Sequence, residues 1–270
     1  MDIFGFFADR FVYPGPDRAC MTTTYNVGGT QCYVRHGAGS DRVIVYAHGN
    51  ETTLEDLRQS GILDVLALEC NASVVAPEYP GYGDMAEFDR GYGRDADEKM
   101  GDSITSVVEA LVDSGCKHIT LIGRSVGCAI ALRSLTCSVS VDQHVNNVVL
   151  ISPFSSLRDV FPPIARCVAQ NRLDNASAIQ KLSCPVLILH GADDTLIPFE
   201  QSEHLHACCA NAQLKRIDGM QHVISSRLIS RLCEHVRPFI HNGFSTSSES
   251  PLVSFDVFES KQQGRTRSGY

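Results

Sequence analysis

A serine between two glycines, in the run Gly123-Arg124-Ser125-Val126-Gly127, is where this chain first shows residue types suited to nucleophilic chemistry. A serine hydroxyl attacks a carbonyl only when a base takes its proton, and the base needs an acid to fix its tautomer. The G-x-S-x-G spacing meets a further need. The serine must sit on a strained turn between a strand and a helix, where side chains on either side would clash. Residues 119–122 before the motif are apolar and mostly β-branched, and residues 126–135 after it look helical, so the context is the required strand–turn–helix. Ser125 is the candidate nucleophile.

When such a turn carries the nucleophile, the acid and then the histidine follow it along the chain. The apolar run 186–189 ends in His190-Gly191-Ala192-Asp193-Asp194, placing two aspartates just past a buried strand. Asp194 is the preferred acid because Thr195-Leu196-Ile197-Pro198 returns at once to apolar character; Asp193 is the alternative. Five histidines follow. His204 and His206 lie in a charged helical segment, and His235 and His241 fall in or beyond the last helix. His222 alone follows a strand-like run, on a turn containing Gly219, and is the candidate base. Two N–H donors must meet the oxyanion: that of Val126, after the nucleophile, and that of Asn50, in His48-Gly49-Asn50 at the end of an early strand. His48 and His190 then read as structural. Arg124 either pairs with Glu78 or another carboxylate under the turn, the favoured reading, or faces an anionic substrate group. Tyr79 and Tyr82 read as packing residues that shape their loop.

Strands and helices must bring these residues together. Runs 43–47, 73–76, 119–122, 148–151 and 186–189, with 214–217 as a sixth, lack polar alternation, as expected of parallel strands covered on both faces. Residues 95–112 and 226–239 repeat apolar side chains at three- and four-residue steps and read as amphipathic helices. Residues 21–27 and 30–35 form a hairpin about Gly28-Gly29. The alternation of strand and helix predicts a doubly wound α/β domain over residues 1–241, with a short cap at about 154–183 and a disordered tail over 242–270.

The totals narrow the function. The chain has 270 residues, 43% of them hydrophobic, enough for one large core, and a net charge of −8 with no basic face for nucleic acid. No apolar run approaches the ~18 residues that span a bilayer. The first residues, Met1-Asp2-Ile3-Phe4-Gly5-Phe6-Phe7, have neither the basic start of a secretory signal nor the glycine needed for myristoylation. The expected location is cytoplasmic, with Phe4, Phe6 and Phe7 either dipping into a membrane interface or packing on the domain. The eleven cysteines show no zinc-like spacing and read as reduced, mostly buried thiols. The chemistry implied needs no metal or organic cofactor, and the sequence leaves oligomeric state open.

His48-Gly49-Asn50, the run Pro77-Glu78-Tyr79-Pro80-Gly81-Tyr82-Gly83, the Ser125 motif, Ser152-Pro153-Phe154-Ser155-Ser156-Leu157 and residues 185–194 occur in one order and spacing. In these the chain resembles the α/β-hydrolase-domain proteins that include cytosolic protein depalmitoylases. The resemblance implies the α/β-hydrolase fold, a triad on Ser125, Asp194 and His222, and hydrolysis of S-palmitoyl thioesters on membrane-attached proteins. The chain departs from that group in having Arg124 before the nucleophile, where Gln is usual, and no cysteine before Cys20. The expected substrate is an acylated protein or a small acyl ester. The alternatives are a short-chain carboxylesterase or lipid hydrolase, a catalytically silent binding domain, and a serine peptidase.

Overall fold

The computed structural model describes residues 23–37, 41–50, 52–85, 94–161, 166, 172–242 and 260–262. The amino-terminal phenylalanines and most of the expected tail lie outside them.

The antiparallel hairpin is β1 (Thr23–Val27) and β2 (Thr30–Arg35). Next come β3 (Arg42–Ala47), α1 (Leu54–Ser60), α2 (Ile62–Cys70) and β4 (Ser73–Pro77). The middle of the chain holds α3 (Arg94–Asp113), β5 (His118–Arg124), α4 (Val126–Cys137), α5 (Val139–His144) and β6 (Val145–Ile151). Within the expected cap segment the described residues form α6 (Leu157–Val160) and α7 (Asn175–Ile179). Then follow β7 (Val186–Gly191), α8 (Glu200–Cys208), β8 (Ala212–Ile217) and α9 (Ser226–Asn242). Three residues of the segment expected to be a disordered tail, β9 (Ser260–Gln262), instead pair with β1 as an antiparallel edge strand.

The sheet order is β8-β7-β6-β5-β3-β4-β2-β1-β9. From β8 to β4 the strands are parallel, and β2, β1 and β9 continue antiparallel. The missing alternation in the sequence has a direct cause. In β3, Val43, Val45 and Ala47 enter the core beneath α3 and α4, while Ile44 and Tyr46 enter the opposite core beneath α1, α2 and α9. Both faces of each central strand are covered, so their residues are mostly apolar, and the few polar ones, such as Thr120 and Asn147, are buried as well.

The chain winds from β3 to β4 on one side and returns to β5 on the other, so the order reverses at β3 and β5. In open parallel sheets the loops beyond the carboxyl ends of such strands diverge and leave a crevice. Asn50 follows β3 and Ser125 follows β5, while Asp194 and His222 follow β7 and β8 along the same edge.

Candidate active site

Ser125 is the turn between β5 and α4, with φ 53° and ψ −121°. A positive φ is strained for a residue with a side chain, and the surroundings hold it there. Its N–H donates to the Ile151 carbonyl at 2.9 Å, and its own carbonyl accepts from Cys128 N–H at 3.0 Å. The flanking glycines have specific steric reasons. A Cβ on Gly123 would stand 2.6 Å from the Cys128 Cα, and one on Gly127 would stand 2.1 Å from the Ala47 carbonyl oxygen. Through Gly127 the first turn of α4 packs directly on the end of β3. Val126 is the first residue of that turn, and its N–H is one of those that a helix start leaves without an intrahelical acceptor.

The Ser125 hydroxyl lies 3.0 Å from Nε2 of His222, whose Nδ1 lies 2.8 Å from Oδ2 of Asp194. Oδ1 of Asp194 is already occupied, accepting the N–H groups of Leu196 at 3.0 Å and Ile197 at 2.9 Å. These bonds explain why the turn back into apolar sequence marks the buried aspartate. Asp194 is buried and Asp193 is exposed. Burial pushes the Asp194 carboxyl up, but the hydrogen bonds from His222 and the Ile197 N–H, with the electrostatic pull of the two neighbouring imidazoles, outweigh it. The net pKa lies below the ordinary value.

His190 is fully buried. Its Nε2 lies 2.9 Å from the Ile197 carbonyl, so Nε2 carries the proton, and Nδ1 accepts from the Ser202 hydroxyl at 2.6 Å. Desolvation lowers its pKa and keeps it neutral. Its position is structural: it braces the turn that carries Asp194.

The Asn50 loop is held from behind. Tyr79 donates its hydroxyl to the His48 carbonyl at 3.1 Å, and Tyr82 donates to Oδ1 of Asn50 at 3.0 Å. The two rings meet edge to face, 5.6 Å between centroids. They pack, as the sequence suggests, and their hydroxyls also bond to the loop, for which composition gave no signal. His48 Nε2 stands 3.2 Å from Glu78 Oε1, while Glu78 Oε2 accepts the Leu54 N–H at 3.1 Å. The expected pairing of Arg124 with Glu78 therefore does not form. Glu78 turns to His48 and to α1, and Nη2 of Arg124 donates to the main-chain carbonyl of His222 at 2.9 Å.

Ser125, Asp194 and His222 thus converge, with Asn50 and Val126 on the adjoining turns; among the described residues the side chains of Asp193, His204, His206, His235 and His241 make no hydrogen bond or ion pair with Ser125 or Asp194. Among the described residues no group of three His, Cys, Asp or Glu side chains is placed to hold a metal ion, and no helix is long and apolar enough to cross a membrane. Such an arrangement can move a proton from a hydroxyl to an imidazole while a fixed carboxylate stabilises the resulting cation.

A family model described as serine hydrolase (FSH1) matches residues 76–226. The Xenopus tropicalis alpha/beta hydrolase domain-containing protein 17C is 24% identical over 220 residues, which cover 80% of this chain and 66% of that protein. The alpha/beta hydrolase domain-containing protein 17B from the same organism is 25% identical over 194 residues, covering 70% of this chain and 63% of that protein. The chain spans just under two thirds of the length of these relatives. Among solved structures, a predicted CIB-like hydrolase from Thermoplasma acidophilum superposes with a TM-score of 0.58 at 18% identity, covering 81% of this chain and 96% of that one. A meta-cleavage product hydrolase from Pseudomonas fluorescens gives 0.60 at 17% identity, covering 82% and 98%. At these identities the superpositions establish the α/β-hydrolase fold.

Proposed function

Because the chain belongs to the serine hydrolase (FSH1) family, we propose that it hydrolyses acyl esters and thioesters through an acyl-enzyme on Ser125. The observation that supports this reading is the unbroken line of bonds from Ser125 Oγ through His222 to Asp194. In this scheme His222 takes the Ser125 proton as the hydroxyl attacks, and Asp194 stabilises the imidazolium. The N–H groups of Asn50 and Val126 hold the oxyanion, and His222 returns the proton to the leaving group. Water then enters by the same route and releases the acid. The scheme uses only these side chains, two main-chain amides and water.

The finer reading is an S-palmitoyl thioester on a protein. Two observations support an apolar acyl chain. Leu196, on the Asp194 turn, and Val223, beside His222, are large apolar residues standing 56% and 78% exposed on the loops that carry the base and acid. The sequence also resembles a group that includes depalmitoylases.

The test is labelling by a fluorophosphonate probe of wild type, Ser125→Ala and His222→Ala, followed by hydrolysis of acyl thioesters and oxygen esters of graded chain length. Labelling that vanishes in Ser125→Ala, with rates rising toward long-chain thioesters, is the expected result. Rates that peak at two to four carbons would favour the esterase alternative, and an unlabelled, folded wild type would remove the mechanism.

A further inference from the structure

We propose that Arg124 is a positioning residue for the base: its guanidinium ties the main chain at His222 to the nucleophile turn and keeps the imidazole aimed at Ser125. The inference rests on reading His222 as the base. Arg124 reaches across 98 residues of sequence to place Nη2 at 2.9 Å from the His222 carbonyl. Its backbone is the last residue of β5, a strand buried between β3 and β6, so this end of the tether is fixed. The other end is a short loop anchored on either side of His222 by the buried side chains of Met220 and Ile224. Between these anchors Gln221 and Val223 are exposed, and the main-chain bonds at the loop lie at Met220 and Ser225. Between those points the bonds at residue 222 are the two from its imidazole and the one its carbonyl accepts from Arg124.

The guanidinium is placed for this bond at a price elsewhere. Its Nε is buried without an acceptor, and among the described residues no carboxylate forms an ion pair with it. A buried N–H left unmet destabilises a fold and calls for an explanation. Here the side chain forgoes a local partner in order to reach a carbonyl on the base loop. Gly49 is shaped to the same end. A Cβ at that position would stand 3.0 Å from Arg124 Nη1, so the missing side chain leaves the guanidinium its room between the Asn50 loop and the His222 loop. One residue thus spans the turns that carry the nucleophile, the oxyanion donor and the base. Arginine suits the task because its planar fork holds direction, whereas a lysine ammonium is a shorter, freely turning point charge.

Loosening the base loop acts on the aim of the imidazole. Displacements of about 1 Å in a reacting group cost roughly 10²-fold in rate. The test compares wild type, Arg124→Ala, Arg124→Lys and His222→Ala in hydrolysis of an activated ester, with thermal unfolding as a check on the fold. The low-field proton resonance of the His222 Nδ1–H···Asp194 bond supplies a direct readout of base position. The expected result for Arg124→Ala is a kcat lower by about 10- to 10²-fold with KM within about twofold, and a low-field resonance lost to exchange. Added guanidinium ion restores part of kcat. Arg124→Lys, which keeps the charge and stem, shows the same loss of kcat and resonance, and it carries the test should Arg124→Ala not fold. Unchanged kcat with an intact resonance overturns the proposal. So does a raised KM at unchanged kcat, which would place Arg124 against the substrate. Hydrolysis surviving in His222→Ala would instead overturn the base assignment, whatever Arg124 does.

Discussion

Replacing Asp194 by asparagine exchanges a single heavy atom, an oxygen for an NH2 nitrogen, and is expected to remove nearly all activity, for a reason visible in how the carboxylate is shared. Oδ1 accepts two main-chain N–H groups, from Leu196 and Ile197, while Oδ2 faces Nδ1 of His222. An asparagine has one oxygen for these two duties. If its oxygen stays on the two N–H groups, its NH2 faces His222. If it turns over, the NH2 opposes two N–H donors, of which that of Ile197 is buried, and leaving that one unmet costs about 1–3 kcal/mol. The first arrangement wins by at least about 1–3 kcal/mol. His222 Nδ1 must then accept a proton rather than donate one, which moves the ring proton to Nε2. That nitrogen lies 3.0 Å from the Ser125 hydroxyl, and once protonated it has no lone pair to take the serine proton.

A wrong-tautomer base of this kind costs about 10⁴ in kcat in the serine-protease case from which the effect is known. At 1.36 kcal/mol per tenfold this is about 5 kcal/mol of barrier. The assay is steady-state hydrolysis of an activated ester by Asp194→Asn, with Asp193→Asn as the exposed control. The expected outcome is a kcat about 10⁴-fold lower with KM little changed, and a thermal midpoint close to wild type because the two N–H bonds survive. The control stays within about twofold of wild type, as a solvated carboxylate warrants. Activity within tenfold of wild type in Asp194→Asn would refute the tautomer argument and send the search for the acid elsewhere.

The elements whose physics leaves a mark at a single place in the chain were the ones the sequence revealed. Strands buried on both faces are apolar at most positions on either face, so β3 to β7 announce themselves by lost alternation. The turn at Ser125 demands glycine at 123 and 127 because backbone atoms stand where a Cβ would go, and that demand is local enough to read as a motif. Which of Asp193 and Asp194 is buried was readable because the turn that buries the carboxylate also buries Ile197. Other features were hidden because one partner carries no signature. Arg124 bonds to a main-chain carbonyl, which any residue at 222 would supply, so nothing in the sequence matches it. Asp97 and Arg172 form a buried pair 75 residues apart, and neither neighbourhood announces the other. The edge strand at Ser260–Gln262 pairs through its backbone in a segment whose composition reads as tail.

Three further outcomes follow from the packing. Gly127→Ala drives a Cβ to 2.1 Å from the Ala47 carbonyl oxygen and 2.5 Å from that of His48, both backbone atoms. The Asn50 loop must shift, and the fluorophosphonate labelling rate is expected to fall at least about 10²-fold, as when one oxyanion donor is lost; labelling at the wild-type rate would contradict this. Asp97→Ala leaves Arg172 buried beside a missing carboxylate that now meets Nε at 3.1 Å and Nη2 at 2.9 Å. Denaturant unfolding is expected to show a loss of about 3–5 kcal/mol, most of it recovered when both residues are replaced by Leu and Met. His190 gives a dependence on pH. Burial lowers its pKa from the ordinary 6.5, so the native state binds fewer protons than the unfolded chain below that value, and stability rises with pH there. This contribution is complete above about pH 6.5 and is lost as pH falls toward the native value. Asp194 acts with the same sign in a lower window, lost as pH falls below its ordinary 3.8 and through its depressed native value. His190→Gln keeps an N–H for the Ile197 carbonyl but has nothing to protonate, so its thermal midpoint should fall less than that of wild type between pH 7 and pH 5. An equal fall in both proteins would mean that acid destabilisation in this window arises from groups other than the buried imidazole.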